Sequence, residues 1–571
     1  MVRVLTHDVL LLGSGLAGLR AALEVLWAAD GRLDLAILSK TQLMRAHSVA
    51  AEGGTAAVLN PEEGDRPELH AWDTVKGSDF LADQDAVMRF VEAMPREILR
   101  LEHWGIPWSR RPDGHINQRP FGGHSFPRAT FAADKTGFFE MQTLYDTLQR
   151  FGRFTRYDEW MATRIIVEQG ELAGVTAWDL TTGEFALLRA KALIVATGGF
   201  MRLFGFTTYS YTVTGDGMAM AYRAGLPLKD MEFVQFHPTG LVPSGILITE
   251  AARGEGGYLR NRDGRRFMED HAPKLMELAP RDIVARAETL EMEAGRGFTH
   301  PSGLGYVELD LTHLGGDRIK QRLPLIREVA IKFNGLDPIE HRLPVRPAAH
   351  YSMGGIHTDI DGKTPVEGIW AAGEAACVSI HGANRLGSNS TGECLVWGAI
   401  TGREAARYAL ARKAPPEPPL EAAREERARL QGLLDRRGTE SLYAIRSRLR
   451  QVMDEKVGVF REEAGLREAL EEVRTLKARM ADVGLSDRGW VYNTDLVSAL
   501  ELQNMLDLAE VTVLGALERR ESRGAPARRD YPSRDDERFL AHTLAYHTPQ
   551  GPRLEYLPVR ITRWKPVERK Y

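Results

Sequence analysis

The sequence predicts an α/β fold built around a Rossmann-like nucleotide-binding domain. An apolar run, Val9–Leu12, has the composition of a buried parallel strand. A glycine-rich turn at residues 13–18 follows directly, and the Ala- and Leu-rich segment 19–29 favours a helix. A second apolar segment at 33–38 completes a strand–helix–strand unit of ordinary size.

This nucleotide-binding domain is predicted to be discontinuous. Residues 191–199 read as a strand that ends in a tight turn, and residues 368–374 repeat that pattern much later. The chain between them carries a segment that is richer in charge. We therefore predict that the nucleotide-binding domain comprises residues 1–240 and 344–412, and that an α+β capping domain is inserted at 241–343.

The C-terminal part of the chain follows a proline-rich segment at 415–419, which predicts a stiff linker. Beyond it, apolar residues recur at helical spacing, which predicts a helical bundle over 420–520. Two apolar faces carry this prediction: Leu442, Ile445, Leu449 and Val452 on one, and Leu466, Leu470, Val473 and Met480 on the other. Strand-like alternation at Leu554, Tyr556, Val559 and Ile561 predicts a small C-terminal domain at 525–571.

Composition excludes several classes of function. The net charge is −4, and the 74 basic and 78 acidic residues are interspersed, so no basic face for nucleic acid is predicted. Two cysteines, Cys377 and Cys394, are too few for an iron–sulfur cluster and indicate no disulfide framework. Neither a signal peptide nor an apolar stretch of membrane-spanning length is recognisable.

The glycine-rich turn carries the first chemical prediction. Gly13, Gly15 and Gly18 fit the G-x-G-x-x-G pattern, in which backbone N–H groups approach a pyrophosphate at a helix N-terminus. The second strand ends in Ser39-Lys40 instead of the acidic residue that usually binds a ribose. A generic NAD-binding domain is therefore disfavoured.

His47 lies in the run RAHSVAAEGG at 45–54, where a histidine can contact the ring of a dinucleotide flavin held by the turn. Further motifs follow along the chain: DTVKGSD at 73–79, QRPFGG at 118–123, ADKTG at 133–137, TGDG at 214–217, QFHPTG at 235–240, RGEGG at 253–257, HYSMGG at 350–355 and NRLGSNS at 384–390. In these motifs the chain resembles the flavoprotein subunit of succinate dehydrogenase and fumarate reductase, from residue 8 to the C-terminal tail.

The resemblance implies an FAD bonded covalently through its 8α carbon to His47, and no metal site. It assigns further FAD contacts to these residues: Gly13, Ser14, Gly15, Gly18, Ser39, Lys40, Thr41, Ser48, Gly53, Gly54, Asp216, Glu374, Ser390 and Thr391. Alkylation at the 8α carbon makes the ring easier to reduce, which in this family allows succinate to act as the reductant. The polypeptide should therefore remain yellow after acid precipitation.

A substrate site is implied by the same resemblance. Succinate is a small dianion and needs cations and donors directed at two carboxylates. Arg385 can pair with one carboxylate in a bidentate manner. The resemblance assigns the remaining substrate contacts to His237, Thr249 and His350.

Proton transfer is assigned by resemblance to Arg281, with Glu250 and Arg253 relaying protons toward solvent. Arginine is an unusual proton donor because its pKa is above about 12. A carboxylate between two guanidinium groups favours the charged state of all three.

Two residues depart from the family pattern. Glu52 stands where many succinate dehydrogenases have Gln and some fumarate reductases have Glu. A carboxylate beside the flavin disfavours its anionic reduced form, which favours fumarate reduction without deciding the direction. Pro526 replaces a histidine expected in that position, and the sequence offers no functional reason.

Three functions are compared at this stage. The first is succinate oxidation by a succinate:quinone oxidoreductase subunit, or the reverse reaction as a quinol:fumarate reductase. The second is L-aspartate oxidase, which shares the fold but does not hold its FAD covalently, so it matches less well at residue 47. The third is an electron-transfer or assembly subunit without its own substrate site, which the intact set of substrate residues disfavours.

The resemblance also implies partners and a location. Because the chain has neither cluster ligands nor a membrane segment, its electrons require a separate iron–sulfur subunit and a membrane anchor that handles quinone. The protein is then expected at the cytoplasmic face of the cell membrane, bound peripherally through those subunits.

Overall fold

The fold is described from a computed structural model for residues 2–570, so the first residue of the predicted nucleotide-binding domain and the last of the C-terminal domain lie outside the description. The strands are β1 (Arg3–Thr6), β2 (Val9–Leu12), β3 (Leu35–Ser39), β4 (Thr55–Ala56), β5 (Gln118–Arg119), β6 (Ala129–Thr130), β7 (Thr155–Asp158), β8 (Trp160–Glu168), β9 (Glu171–Asp179), β10 (Phe185–Arg189), β11 (Ala192–Val195), β12 (Leu228–Lys229), β13 (Val234–Leu241), β14 (Tyr258–Arg260), β15 (Phe298–Thr299), β16 (Gly305–Asp310), β17 (Leu343–Ser352), β18 (Gly355–His357), β19 (Ile369–Ala371), β20 (Ala376–Cys377), β21 (Phe460–Arg461), β22 (Ala527–Arg528), β23 (Ala541–Thr548) and β24 (Gly551–Pro558). The helices are α1 (Leu16–Ala29), α2 (Pro67–Gly77), α3 (Gln84–Trp104), α4 (Thr136–Phe151), α5 (Asp216–Arg223), α6 (Glu250–Gly254), α7 (Met268–His271), α8 (Arg281–Glu293), α9 (Gly316–Arg322), α10 (Pro324–Asn334), α11 (Asn389–Ala411), α12 (Leu420–Asp435), α13 (Leu442–Lys456), α14 (Glu463–Arg479) and α15 (Thr494–Glu518).

A five-stranded sheet in the order β19–β11–β2–β3–β7 forms the centre of the nucleotide-binding domain, and its neighbouring strands are parallel. Every residue of β2 is buried: Val9 and Leu11 belong to the apolar core that includes α1, α3 and α11, and Leu10 and Leu12 belong to the core that includes strands β8 to β10. Helix α1 begins at Leu16, three residues before the predicted start at 19, since the turn ends at Gly15. The α/β fold class is confirmed.

The inserted segment has its own sheet, in the order β13–β17–β16–β14. Strands β13 and β17 are antiparallel neighbours. They lead the chain into and out of the predicted insert at 241–343, so each extends across one predicted boundary. A separate apolar core under this sheet includes Leu241, Val307 and Val345.

Helices α12 to α15 form the bundle region. The predicted apolar face of α13 is buried, as is that of α14, where Ala469 and Leu476 join it and Met480 lies just past the helix end. Helix α15 is apolar around most of its circumference, because it packs against both the bundle and α5.

The C-terminal hairpin β23–β24 is part of a larger sheet. It adds to a sheet in the order β20–β18–β12–β23–β24, which includes strands of the nucleotide-binding domain. Strand β24 is the outer strand and ends at Pro558, so the predicted alternation does not continue as a strand through Val559 and Ile561. Between residues 2 and 570, no helix is both long and apolar enough to cross a membrane.

Candidate active site

A cavity of about 550 Å³ lies between the nucleotide sheet and the capping sheet. The carboxyl ends of β2, β3, β11 and β19 form one wall, and β13, β17 and α6 contribute to the other. Open α/β sheets bind ligands at this edge of the strands. Among the predicted site residues, these line the cavity: Gly13, Ser14, Gly15, Ser39, Lys40, Thr41, His47, Ser48, Gly53, Gly54, Asp216, His237, Thr249, Glu250, Arg281, His350, Glu374, Arg385, Ser390 and Thr391.

The turn before α1 packs so closely against the residue after β11 and against the helix itself that Gly13 and Gly18 have no room for a side chain. Gly13 has φ +102°, and a Cβ there would lie 2.2 Å from the Ala196 carbonyl oxygen. Gly18 does not line the cavity; a Cβ there would lie 2.2 Å from the Gly13 oxygen, so Gly18 allows the helix to pack under the turn. Ser48 Oγ accepts a hydrogen bond from the first helical N–H, of Leu16, at 3.2 Å.

Lys40 connects the nucleotide-binding domain to the bundle. Its Nζ lies 2.7 Å from Asp216 Oδ2 and 2.8 Å from Glu501 Oε1 of α15. Asn504, also on α15, donates to Asp216 Oδ1 at 2.8 Å. Burial alone would lower the pKa of Lys40, but Asp216 and Glu501 outweigh it and raise the pKa above its ordinary value. Lys40 and Asp216, each predicted as an FAD contact, pair with one another and with two bundle residues that the sequence did not indicate.

His47 is half-buried in the cavity wall, on a short helical turn. Burial and the nearby Arg202 guanidinium lower the pKa of His47 to about 4. Its ring centroid lies 4.2 Å from that of Tyr209. At neutral pH the imidazole is uncharged, and the lone pair of Nδ1 accepts a hydrogen bond from the backbone N–H of Ser210 at 3.5 Å.

Glu374 and Tyr209 form a buried pair beside His47. The Tyr209 hydroxyl donates to the Glu374 carboxylate, which also accepts from the backbone N–H of Ser352 at 2.9 Å. Burial raises the pKa of Glu374 to about 7. Tyr209 was missed by sequence reasoning, although it lies just before the TGDG motif.

Three of the four predicted substrate residues, His237, Thr249 and His350, lie on the wall of the cavity formed by β13, β17 and α6. The rings of His237 and His350 are 4.8 Å apart, and His350 Nδ1 lies 2.8 Å from Thr208 Oγ1. Burial and the Arg281 charge lower the pKa of both histidines well below the usual value, so both are neutral. Thr249 begins α6, and its oxygen accepts from Ala251 N at 3.3 Å, which leaves the hydroxyl hydrogen free to donate to a ligand.

The residues predicted to transfer protons are in contact. Arg281 Nε donates to Glu250 Oε2 at 2.7 Å, and Arg253 Nη2 lies 3.8 Å from the same oxygen. Glu250 Oε1 accepts from the backbone N–H of Gly122 at 2.6 Å. Arg281 and Arg253 hold the pKa of Glu250 below its usual value although burial opposes this. Arg253 does not line the cavity, and its side chain is buried against Glu250.

Gln235, to which the sequence assigned no role, connects the Arg281 side chain to the backbone of Arg385. Its Oε1 accepts from Arg281 Nη1 at 3.1 Å, and its Nε2 donates to the backbone oxygen of Arg385 at 2.7 Å. Its position as the first residue of the QFHPTG motif is the sequence signal that could have identified Gln235 as a site residue. Glu501 and Asn504 had no such signal, because they reach the site from more than 280 residues away in sequence.

Several polar atoms at the cavity are buried without a hydrogen-bond partner in the described part of the chain. They are Glu52 Oε2, Thr197 Oγ1, Arg202 Nε, Ser388 Oγ and Arg385 Nε. Burial and the neighbouring Asp134 raise the pKa of Glu52 well above its usual value. Unpaired buried polar groups are costly, so this arrangement indicates a polar ligand.

The fold and this site define a flavin-dependent oxidoreductase, as comparison with known proteins supports. Residues 8–391 match the family model described as FAD binding domain, and residues 446–571 match the model described as fumarate reductase flavoprotein C-term. The fumarate reductase flavoprotein subunit of Mycobacterium tuberculosis is 49% identical over 99% of both chains, and the succinate dehydrogenase flavoprotein subunit of Rickettsia bellii is 43% identical over 97% of this chain and 95% of its own.

Solved structures agree with these sequence matches. Escherichia coli quinol fumarate reductase superposes with a TM-score of 0.96 at 42% identity over 99% of both chains. Mycobacterium smegmatis Sdh1 in complex with UQ1 gives a TM-score of 0.86 at 36% identity, over 99% of this chain and 96% of its own. The chain belongs to the family of flavoprotein subunits of succinate dehydrogenase and fumarate reductase.

The residues present fit an FAD. The glycine turn lies in the cavity lining at the N-terminus of α1, where backbone N–H groups can bind a pyrophosphate, and Thr197 and Ser388, whose hydroxyls lack a partner in the described part of the chain, also line the cavity. Among residues 2–570, no group of three or more His, Cys, Asp and Glu side chains is arranged to hold a metal ion.

Proposed function

We propose that this chain interconverts succinate and fumarate as the catalytic flavoprotein subunit of a quinone-linked complex. The observation that carries the proposal is that His237, Thr249, His350 and Arg385 line the same cavity as the Arg281–Glu250 pair. An electron-transfer subunit without its own substrate site would not require this set of residues, so the set disfavours that alternative.

Bound FAD would supply the hydride acceptor or donor, held by the glycine turn, Ser39, Lys40 and Asp216. The four predicted substrate residues then bind the dicarboxylate. Arg385 pairs with one carboxylate, while the Thr249 hydroxyl and the two neutral histidines donate to the remaining oxygens.

Arg281 is positioned to exchange the substrate proton. Because its Nε is hydrogen-bonded to Glu250, a proton lost or gained at Arg281 can be replaced through that carboxylate and Arg253. The pair also prevents the Arg281 cation from being buried beside Arg385 without a counter-charge.

The decisive experiment measures the flavin spectrum of the purified protein. Succinate should bleach the flavin absorbance and fumarate should restore it. Aspartate should leave the spectrum unchanged and produce no peroxide; if only aspartate bleached the flavin, the aspartate oxidase alternative would replace this proposal. A flavin unaffected by succinate, fumarate and aspartate alike would favour the electron-transfer alternative.

Covalent attachment of the FAD to His47 is part of the proposal. The low pKa of His47 keeps the imidazole neutral and nucleophilic at physiological pH. The acid-precipitated wild-type polypeptide should be yellow, and His47→Ser should give a colourless pellet while still binding FAD reversibly. A colourless wild-type pellet would contradict the covalent link.

Both directions use the same site, and the sequence analysis placed net succinate oxidation first. The buried Glu52 carboxyl and the 43–49% identity to subunits named fumarate reductase support net fumarate reduction as the second candidate. Initial rates of succinate oxidation and fumarate reduction, measured at equal substrate concentrations in the same preparation, decide between them.

We also propose that the chain works with an iron–sulfur subunit and a quinone-handling membrane anchor, at the cytoplasmic face of the membrane. Relatives of this chain are described as a quinol-fumarate reductase with menaquinol molecules and as Sdh1 in complex with UQ1. Affinity purification of the tagged chain from membranes should retain a partner with an iron–sulfur signal in electron paramagnetic resonance. Its recovery in the cytosol without such a partner would contradict this part of the proposal.

A further inference from the structure

Arg385 is a buried cation without a carboxylate partner in the described part of the chain. Its side chain is 3% exposed, Nη1 donates to Ser390 Oγ at 3.2 Å, and Nε has no partner. Burial and the charge of Arg281 lower the pKa of Arg385 to about 10. Something other than an ion pair must therefore hold this side chain in place and offset part of its desolvation.

The ring of Tyr351 lies against the Arg385 guanidinium, where a carboxylate partner would otherwise be expected. The guanidinium carbon of Arg385 lies 4.4 Å from the ring centroid, within the range of a cation–π interaction. An aromatic face attracts a cation without neutralising it. A carboxylate in the same place would compete with the substrate for Arg385, whereas the ring leaves the full charge available to a dianion.

Hydrogen bonds hold the hydroxyl end of Tyr351 in place. Its hydroxyl donates to Glu393 Oε2 at 2.9 Å, and His381 Nε2 lies 2.7 Å from the same oxygen. All three residues are at most 5% exposed. Burial and the Glu393 carboxylate raise the pKa of Tyr351 well above its usual range, so the phenol remains a donor. Donation to a carboxylate increases the electron density of the ring, which strengthens its attraction for Arg385.

A β-bulge explains how Tyr351 reaches this place. Gln235 pairs with Tyr351 and Phe236 pairs with Ala349, so His350 is an extra residue in β17. Side chains of successive residues in a regular strand point to opposite faces. The bulge breaks that alternation, and both His350 and Tyr351 line the cavity.

We propose that Tyr351 is a positioning residue for dicarboxylate binding, which holds the uncompensated Arg385 cation through its ring face and is anchored by Glu393. This inference rests on the proposed function, because it concerns the same substrate site. Tyr351 acts through Arg385 and is not assigned a contact with the reacting carbons.

The experiment uses the complete complex with its FAD and the variants Tyr351→Phe, Tyr351→Leu and Glu393→Gln. Malonate binding is followed by the flavin difference spectrum, and fumarate turnover gives KM and kcat separately. Losing the ring should weaken malonate binding about 30-fold, as a desolvated cation–π contact of about 2 kcal/mol implies, with a matching rise in KM. Tyr351→Phe and Glu393→Gln should each weaken binding only about threefold, and kcat should change less than KM.

A graded series separates the ring's electrostatics from its shape. Phenylalanine carrying zero, one, two or three fluorine atoms is placed at position 351 in otherwise identical protein. Each fluorine withdraws electron density from the ring face, so the logarithm of the malonate dissociation constant should rise steadily with fluorine number. The same series at Tyr222, a buried tyrosine outside the cavity lining, should show no trend.

A flat fluorine series at position 351, or wild-type malonate binding in Tyr351→Leu, would overturn the inference. If the leucine variant does not fold, the fluorine series alone decides, because its members are nearly equal in shape. Failure of the proposed function looks different: wild-type protein would then neither turn over fumarate nor bind malonate.

Discussion

At the scale of single residues, burial in the cavity lowers the pKa values of histidines and raises those of glutamates, so both kinds of side chain favour their neutral forms. The histidines His47, His237 and His350 are held neutral, while Glu52 and Glu374 have raised pKa values. Burial is the first cause in each case. The cavity therefore concentrates its positive charge on the arginines, as recognition of a dianion requires.

Replacing Glu52 tests how the cavity influences the flavin. The raised pKa keeps this carboxyl neutral at low pH, and the negative charge appears only as pH rises. That charge opposes reduction, so Glu52→Gln should raise the flavin midpoint potential more at pH 9 than at pH 6. Redox titrations across this range provide the measurement.

The exposed Glu62→Gln variant is the control for this experiment and should titrate like wild type at every pH. An offset for Glu52→Gln that stays constant from pH 6 to pH 9 would show that the carboxyl does not ionise in this range, contrary to the argument.

At the scale of secondary-structure elements, three local features build the site: the strand–turn–helix at β2 and α1, the bulge in β17, and the N-terminus of α8, which begins at Arg281. Each uses a departure from regular geometry to bring a functional group to the cavity. Substitutions in these elements therefore have effects that depend on backbone geometry as well as on side-chain chemistry.

Gly13→Ala should abolish FAD binding. An added Cβ would lie 2.2 Å from the Ala196 oxygen, and φ +102° is unfavourable for alanine. Flavin content and the thermal midpoint of the purified protein provide the measurement. Gly114→Ala is the matched control, because Gly114 has φ +88° with no atom within 4 Å, and should cost only about 1–2 kcal/mol with full flavin content. Equal effects of the two substitutions would contradict the steric argument.

Glu288 on α8 should make folding stability fall with rising pH. It is fully buried, neither carboxylate oxygen has a partner, and burial raises its pKa well above the usual value. The folded state therefore favours the neutral form, so stability is highest below the unfolded pKa near 4.5 and declines as pH rises toward the folded pKa. Glu288→Gln should stabilise the protein relative to wild type by about 1–3 kcal/mol at pH 8 and by less at pH 5.

Glu291 on the same helix provides a control, because its pKa is shifted in the opposite direction from that of Glu288. Its carboxylate is paired with Arg296, which lowers its pKa, so Glu291→Gln should destabilise the protein more at pH 8 than at pH 4. Denaturant unfolding at the two pH extremes measures both variants. If Glu288→Gln behaved like Glu291→Gln, the unpaired state of Glu288 would be refuted.

At the scale of the whole molecule, segments far apart in sequence hold the cavity together. Bundle helix α15 reaches Lys40 and Asp216, and hairpin β23–β24 extends a sheet of the nucleotide-binding domain. His542 in β23 lies 2.7 Å from Asp230 and 3.2 Å from Asp83. The C-terminal segment is therefore attached through buried charge as well as through backbone pairing.

His542 should make stability depend on pH in the alkaline range. Burial lowers the pKa of His542, but the two aspartates outweigh it and raise the pKa to about 9. The stabilisation is fully present below the unfolded pKa near 6.5 and is lost as pH rises through about 9. The thermal midpoint of wild type should fall between pH 6.5 and pH 9.5 by more than that of His542→Gln. The exposed His115→Gln variant should follow wild type, and parallel pH profiles for His542→Gln and wild type would refute the buried charge.

Much of the fold could be predicted because its signals are local. Strand β2 was placed with its observed bounds, since a run of four buried apolar residues before a glycine turn has few other structures. The buried faces of α13 and α14 followed from helical spacing. The end of β24 was misjudged, because an outer strand exposes both faces and its apolar pattern carries little information.

The sequence by itself determined the α/β fold class, the family, and which residue types could bind a flavin and a dianion, because these depend on short motifs whose chemistry is local. Only the tertiary structure decided that Glu501 and Asn504 support Lys40 and Asp216, and that Tyr351 and not a carboxylate faces Arg385. Those contacts join segments that are tens to hundreds of residues apart. The packing of domains and a single bulge fix them, and neither leaves a periodic or compositional signal in the chain.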